Sequence, residues 1–112
     1  MDSKQQVVSK SLNFSLNALT VVAGTGCQGS VSNMLDTPYG IFVDTNLDLY
    51  VADSGNNRIQ LFQPGQLNAI TVAGLSSSNI TISLNNPVSI ILDFNKYLFI
   101  VDNNNNRIIG SG

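Results

Sequence analysis

Hydrophobic positions along this chain come in short, dense runs rather than at helical spacing. Ile41-Phe42-Val43, Leu49-Tyr50-Val51-Ala52, Ile90-Ile91-Leu92 and Leu98-Phe99-Ile100-Val101 are rich in β-branched and aromatic residues, and turn formers bound each of them. That is the pattern of short β-strands. The runs are apolar almost continuously, so both faces of each strand are expected to be covered. Val101 is therefore expected to be buried, and an Asp placed there is expected to cost several kcal/mol. No segment keeps a 3.6-residue apolar period over several turns, so no helix is predicted. Between the strands, Asp44-Thr45-Asn46-Leu47-Asp48 and Asp93-Phe94-Asn95-Lys96 each place an Asn where a hairpin can need positive φ. Ser54-Gly55-Asn56-Asn57 and Asn103-Asn104-Asn105-Asn106 lead into third strands that begin at Arg58 and Arg107. Ile59-Gln60-Leu61-Phe62 is more mixed, as expected for a strand nearer solvent.

The chain says the same thing twice. Pro38, Asp53 and Arg58 return as Pro87, Asp102 and Arg107, an offset of 49 residues each time. Leu19-Thr20-Val21-Val22-Ala23-Gly24 returns as Ala69-Ile70-Thr71-Val72-Ala73-Gly74, so traces of three units are present. Repeats of this length, built from short strands and polar turns, read as the blades of a propeller or another stacked array. The expected division is 5–24 for the last two strands of one unit, 38–74 for a complete set of four, and 87–112 for the first three of the next.

Composition narrows the chemistry. The 112 residues suit one small domain, and 43 % apolar content suits a globular class. Charge is sparse at 11 %, with a net charge of −2. Lys4, Lys10, Arg58, Lys96 and Arg107 are scattered, so no phosphate-binding surface and no nucleic-acid partner are expected. Cys27 is the only cysteine; it is either a small buried hydrophobe or half of a bridge to sequence outside this chain. No apolar stretch approaches membrane-spanning length, and Met1-Asp2-Ser3-Lys4-Gln5-Gln6 lacks the order of a signal peptide. No membrane partner is expected, and the compartment stays open. Asn13-Phe14-Ser15 and Asn79-Ile80-Thr81 match the N-glycosylation pattern, which matters only in a secretory setting.

The candidate chemistry is acidic: Asp44, Asp48, Asp53, Asp93 and Asp102, with Arg58 and Arg107. Paired carboxylates can bind Ca²⁺ or act as acid and base. Yet Asp44 and Asp93 occupy one repeat position, Asp53 and Asp102 another, and Arg58 and Arg107 a third. Features present in every unit build the unit, by accepting turn amides or by clamping the loop between the second and third strands. The chain has no His, which removes Ser–His–Asp and Cys–His nucleophile systems and a zinc site of the usual type from it. No catalytic, cofactor-binding or metal-binding residue is expected, and no cofactor. Gly24-Thr25-Gly26-Cys27-Gln28-Gly29 lacks the Lys and following helix of a phosphate loop and reads as a crossing between units. The irregular segments 24–36 and 75–86, neutral and rich in Ser and Asn, are the best sequence candidates for binding, since loops carry function more often than strands.

At three places the sequence resembles the NHL-repeat family of β-propellers: Pro-x-Gly-Ile-x-Val-Asp at 38–44, Leu-Tyr-Val-Ala-Asp at 49–53, and Asn-x-Arg-Ile at 56–59. The pattern recurs at Pro87, Leu92-Asp93, Phe99 to Asp102 and Asn105 to Ile108. Two departures stand in the second copy, Ser89 for the usual Gly and no glycine after Asp93. The resemblance implies an all-β fold of two to two-and-a-half blades, each a four-stranded antiparallel sheet, from a ring that usually has six. It also implies a binding platform for proteins, RNA or other ligands. Two blades cannot close a ring, so the partners expected are missing blades of a longer chain or further copies of this one, three of which would make six blades. In that homo-oligomer, one chain's first two strands could complete the sheet begun by its neighbour's last three. The function expected is a non-enzymatic scaffold for a protein or peptide. The alternative is part of a propeller hydrolase or lyase with catalytic residues outside this chain, and an RNA-binding domain, disfavoured by the acidic balance, comes third.

Overall fold

The computed structural model describes residues 5–10, 19–74 and 82–111. Among these residues nine strands form three antiparallel sheets in chain order: β1 (Val7–Lys10) with β2 (Leu19–Ala23); β3 (Pro38–Val43), β4 (Leu49–Asp53), β5 (Arg58–Phe62) and β6 (Ile70–Ala73); then β7 (Pro87–Leu92), β8 (Leu98–Asp102) and β9 (Arg107–Ser111). Each strand pairs with its neighbour in sequence, a meander. Three-residue 3₁₀ turns, Ser54–Asn56 and Asn103–Asn105, are the helical elements among the described residues. The fold is all-β, as the pattern of short apolar runs predicts.

The sheets stack face on face, and that is why the strands are apolar on both sides. In β4, Leu49 and Val51 join Phe62, Leu35 and Ala23 in a core shared with the first sheet. From the same strand, Tyr50 and Ala52 point the other way, with Phe42 and Ile59, onto Ile90, Leu92, Leu98 and Ile100 of the third sheet. Burying each such Leu or Ile contributes about 1.5–3 kcal/mol. At the inner strands the approach is close enough to need glycine: a Cβ on Gly40 would lie 2.3 Å from the Val88 carbonyl oxygen. Ser89, one repeat later, is half-buried, because among the described residues no further sheet crosses its face.

Three expectations change. Val101 is half-buried rather than enclosed, while Ile100 beside it is fully buried; only one face of the third sheet is covered. β5, taken as nearer solvent, is buried over most of its length, because β6 lies outside it and sheets lie to either side. The left-handed backbone falls not on Asn46 and Asn95 but on Leu47 (φ 66°) and Lys96 (φ 67°). In each hairpin the fourth residue returns its amide to the Asp carbonyl, Leu47 to Asp44 at 3.0 Å and Lys96 to Asp93 at 3.1 Å. This is a type I turn followed by a residue in the left-handed region, a common three-residue hairpin connection. Asn does take that region at Asn57 (φ 55°) and Asn106 (φ 53°), the last residue of each link into a third strand.

Leu47 is exposed and strained by its backbone, since a left-handed non-glycine residue costs about 1–2 kcal/mol. Glycine removes that cost and returns about 0.4–1 kcal/mol through a freer unfolded chain. Leu47→Gly is therefore expected to stabilise the fold by about 0.5–1 kcal/mol, read as a rise in urea midpoint at unchanged slope. A fall in midpoint would contradict the turn assignment. On the covered side, Ile100→Asp is expected to destabilise far more than Val101→Asp in the same assay.

Candidate functional site

The two ends of the sheets differ. At one end the tight hairpins 44–48 and 93–97 and the turn after β5 project; at the other lie the 3₁₀ turns and the long crossings from sheet to sheet. Asp53 and Asp102 close their strands at the crossing end with buried carboxylates. Asp53 accepts hydrogen bonds from the Asp36 amide at 2.7 Å, the Asn56 side chain at 3.0 Å and the Arg58 Nε at 2.7 Å. Asp102 repeats the set with the Asn85 amide at 2.7 Å, Asn105 at 2.8 Å and Arg107 Nε at 2.8 Å. The antiparallel register places Asp53 opposite Arg58 and Asp102 opposite Arg107, so each ion pair spans adjacent strands.

These pairs hold more than the link between second and third strands. One carboxylate oxygen takes the amide at the end of the incoming crossing, and the guanidinium reaches the crossing's carbonyls. Arg58 donates to the carbonyls of Ser30 (2.8 Å), Met34 (3.0 Å) and Val31 (3.2 Å), and Asn56 donates to Gly29 at 2.7 Å. Segment 24–36, one of the two sequence candidates for ligand contact, thus has the backbone acceptors of Gly29 to Val31 and Met34 engaged internally. Arg107 donates to Ser83 at 2.8 Å. Most of segment 75–86, with Asn79, lies outside the described residues, as does Asn13. Cys27 is half-buried in the first crossing, with a free thiol.

At the hairpin end, Asp44 accepts the amides of Asn46 (2.9 Å) and Asp48 (3.0 Å), and Asp93 those of Asn95 (2.8 Å) and Tyr97 (2.9 Å). These are Asx turns that tie each hairpin to its own carboxylate. Lys96 crosses between sheets to Asp44 at 3.3 Å. Burial works against the Asp44 charge, but the two amides and the Lys96 ammonium outweigh it and hold the carboxyl below its ordinary 3.8. Asp102 is likewise held below 3.8: desolvation opposes ionisation, and the Asn85 amide, Asn105 and Arg107 overcome it. Burial, with Asp44 and Asp48 nearby, pushes the Tyr50 hydroxyl up. The repeat carboxylates therefore sit apart, each in its own turn or clamp. Among the described residues no cluster of three or more His, Cys, Asp or Glu is placed to hold a metal ion.

Sequence reasoning missed two features, one at this end and one in the middle of β5. A groove of about 330 Å³ separates the hairpins, lined by Phe42, Val43, Asp44, Leu92, Phe94 and Lys96. The Phe94 ring is fully exposed, and Leu47, Leu67 and Tyr97 are exposed with it. The available signal was an apolar residue inside a turn whose other members are polar. Gln60 is the second: fully buried, it accepts from Thr71 while its amide nitrogen has no partner. It stands where the repeat has Ile109 in the third sheet, and that break in the pattern was legible.

A three-layered stack of antiparallel meanders, with one Asp–Arg clamp per repeat, defines a segment of a β-propeller. A family model described as the NHL repeat matches residues 35–62, from the end of the first crossing through β5. Among solved structures, an auxiliary nutrient binding protein from Bacteroides ovatus ATCC 8483 superposes with a TM-score of 0.73 at 20 % identity, over 99 % of this chain and 34 % of that one. The chain spans about a third of the length of that protein. No curated protein matches the sequence. Among the described residues no helix is long and apolar enough to cross a membrane.

The clamps differ in how much rests on them. The Arg58 side chain is 11 % exposed and that of Arg107 is 42 %. Arg58→Ala strands a buried carboxylate and three carbonyls, an expected loss of about 3–5 kcal/mol. Arg107→Ala is expected to cost about 1–2 kcal/mol. Equal losses in chemical denaturation would show that the crossing contacts contribute nothing. Acid gives a second check. Asp44 and Asp102 titrate lower when folded, so their contribution is complete above the unfolded value near 3.8 and is lost as pH falls through the folded values. Stability is expected to stay level down to about pH 5 and to decline below about pH 4. Asp102→Asn should flatten that decline, and an acid limb as steep as wild type would exclude Asp102 as a contributor.

Proposed function

We propose that the chain is a non-enzymatic NHL-type scaffold that holds a protein or peptide ligand at the hairpin end of its sheets. The observation that carries this reading is the fully exposed Phe94 ring beside the groove between hairpins 44–48 and 93–97. An apolar ring held in water by a rigid turn is an unfavourable arrangement unless something covers it, and aromatic anchors beside pockets dominate protein interfaces. The Asp44 side chain at the groove is buried and already paired with Lys96, so the apolar lining rather than charge is what a ligand would engage. Engagement of Asp44, Asp53, Asp93 and Asp102 in turns and clamps supports a scaffold role for these residues over acid–base catalysis by them. The net charge of −2 supports a protein ligand over RNA. That the Bacteroides ovatus neighbour is a nutrient binding protein agrees with a binding role at the level of the fold.

The test is selection of peptides from a displayed random library on the immobilised chain, followed by affinity measurement with Phe94→Ala. Selected peptides are expected to share an apolar residue, and the variant to bind at least about tenfold more weakly, a change of about 1.4 kcal/mol. Its melting curve is expected to match wild type because the ring touches solvent. Peptides that bind both proteins equally would move the site elsewhere, and turnover of a substrate abolished by one Asp substitution would replace the scaffold reading with the enzyme.

A further inference from the structure

Where the middle sheet meets the third, Phe42, Tyr50, Ala52 and Ile59 pack on Ile90, Leu92, Leu98 and Ile100. One repeat onward, the first group becomes Ile91, Phe99, Val101 and Ile108. These lie on the outer face of the third sheet, where Ile91 is 57 % and Ile108 71 % exposed. One repeat back, the second group becomes Ile41, Val43, Leu49 and Val51, on the opposite face of the middle sheet. There β1 and β2 help bury Leu49 and Val51, but Ile41 and Val43 remain half exposed, at 51 % and 50 %. With Val8 and Val21 they line an apolar cleft of about 650 Å³. The chain therefore displays, uncovered, both halves of an interface that it makes once within itself.

The first sheet explains the cleft. By pairing register, Val7 opposite Ala23 matches Ile59 opposite Ala73, so β1 and β2 hold the third and fourth places of a sheet. Beside them, the two inner places are the cleft. We infer that a second copy of this chain fills it, its β7 and β8 taking the two inner places and laying Ile91 and Phe99 against Ile41 and Val43. A second copy is the occupant because the face required, apolar at the positions of an inner strand pair of this repeat, is one this chain itself presents, and that face carries no charge. β9 and β1 are both third strands. On seating, the neighbour's β9 takes the place of β1 beside β2, Ile108 replaces Val7, and the result is a four-stranded sheet shared by two chains. Ser89 puts a Cβ where Gly40 has none, so the contact is carried by Ile91, Phe99 and Ile108 rather than by the innermost backbone. The contact is heterologous, each copy giving one face and receiving on the other. The cleft shares Val43 with the groove beside Phe94, and Phe94→Ala, which leaves the cleft lining intact, separates the two.

Light scattering after size exclusion, over a concentration series, tests this with the intact chain. Wild type is expected to exceed 12.0 kDa and to grow with concentration. Ile91→Lys spoils the presented face and Ile41→Lys the receiving face; both residues are exposed enough for the fold to persist, which circular dichroism checks. Each variant alone is expected at 12.0 kDa. An equal mixture is expected to form a species of about twice that mass and no larger, since one good face of each kind remains. Should either variant fail to fold, Ile108→Lys and Val43→Lys serve as the second pair. A wild-type monomer at every concentration overturns the inference and leaves both faces to further repeats of a longer chain or to another protein. Association that survives in a single variant, or a mixture that stays monomeric, overturns it as well.

Discussion

A strand with two dry faces has to lie between two other layers, and everything else in this molecule follows from that requirement. Leu49 and Val51 need a sheet on one side, and Tyr50 and Ala52 need one on the other. A meander of four short strands cannot fold back to cover both of its own faces, so the cover has to come from neighbours built the same way. The repeat is thus a consequence of the packing. Each unit supplies the lid of the one before it, and glycine at position 40 is what lets the lid sit close at the inner end.

Stacking fixes the faces but leaves the ends free, and the ends are where the two kinds of loop diverge. At the crossing end a buried carboxylate gathers an amide, an asparagine and a guanidinium, and the guanidinium in turn gathers the crossing. A charge kept from water at this depth is tolerable only when every oxygen is answered, as it is here. The price of that order is a crossing with few backbone groups left for a ligand. Hairpins at the other end are short enough to need only one Asp each, so their tips are free to carry Leu47, Phe94 and Tyr97 into solvent.

Much of this was legible. The 49-residue offset located β3 to β5 and β7 to β9, the returning Val-Ala-Gly phrase located β6, and position-by-position repetition paired Asp44 with Asp93 and Asp53 with Asp102, which make matching hydrogen bonds. The same repetition extends to backbone conformation, since left-handed residues recur at Thr37 and Asn86, Leu47 and Lys96, Asn57 and Asn106. What misled was local chemistry taken alone. Asn46 looks suited to positive φ, but the turn is set by its four-residue hydrogen bond and places the strain one residue later. Val101 looks buried because its run is apolar, but burial belongs to a face and to whether a sheet lies against it. Gln60 looks like a surface residue in a mixed strand, and only the presence of layers on both sides makes it a core residue.

By itself, then, the sequence determined what depends on neighbours along the chain: strand positions, where the turns fall, and the pairing of Asp53 with Arg58 and Asp102 with Arg107 five residues on. Those are local or periodic properties, and a periodic pattern is readable without knowing how the units meet. Only the tertiary structure decided which face of each sheet is covered, that the clamps reach 24 to 28 residues back to hold the crossings, and that Leu47, Phe94 and Tyr97 stand exposed at the hairpin tips. Those depend on distances between units, and the apolar alternation of a strand is the same whether or not another layer has arrived to cover it.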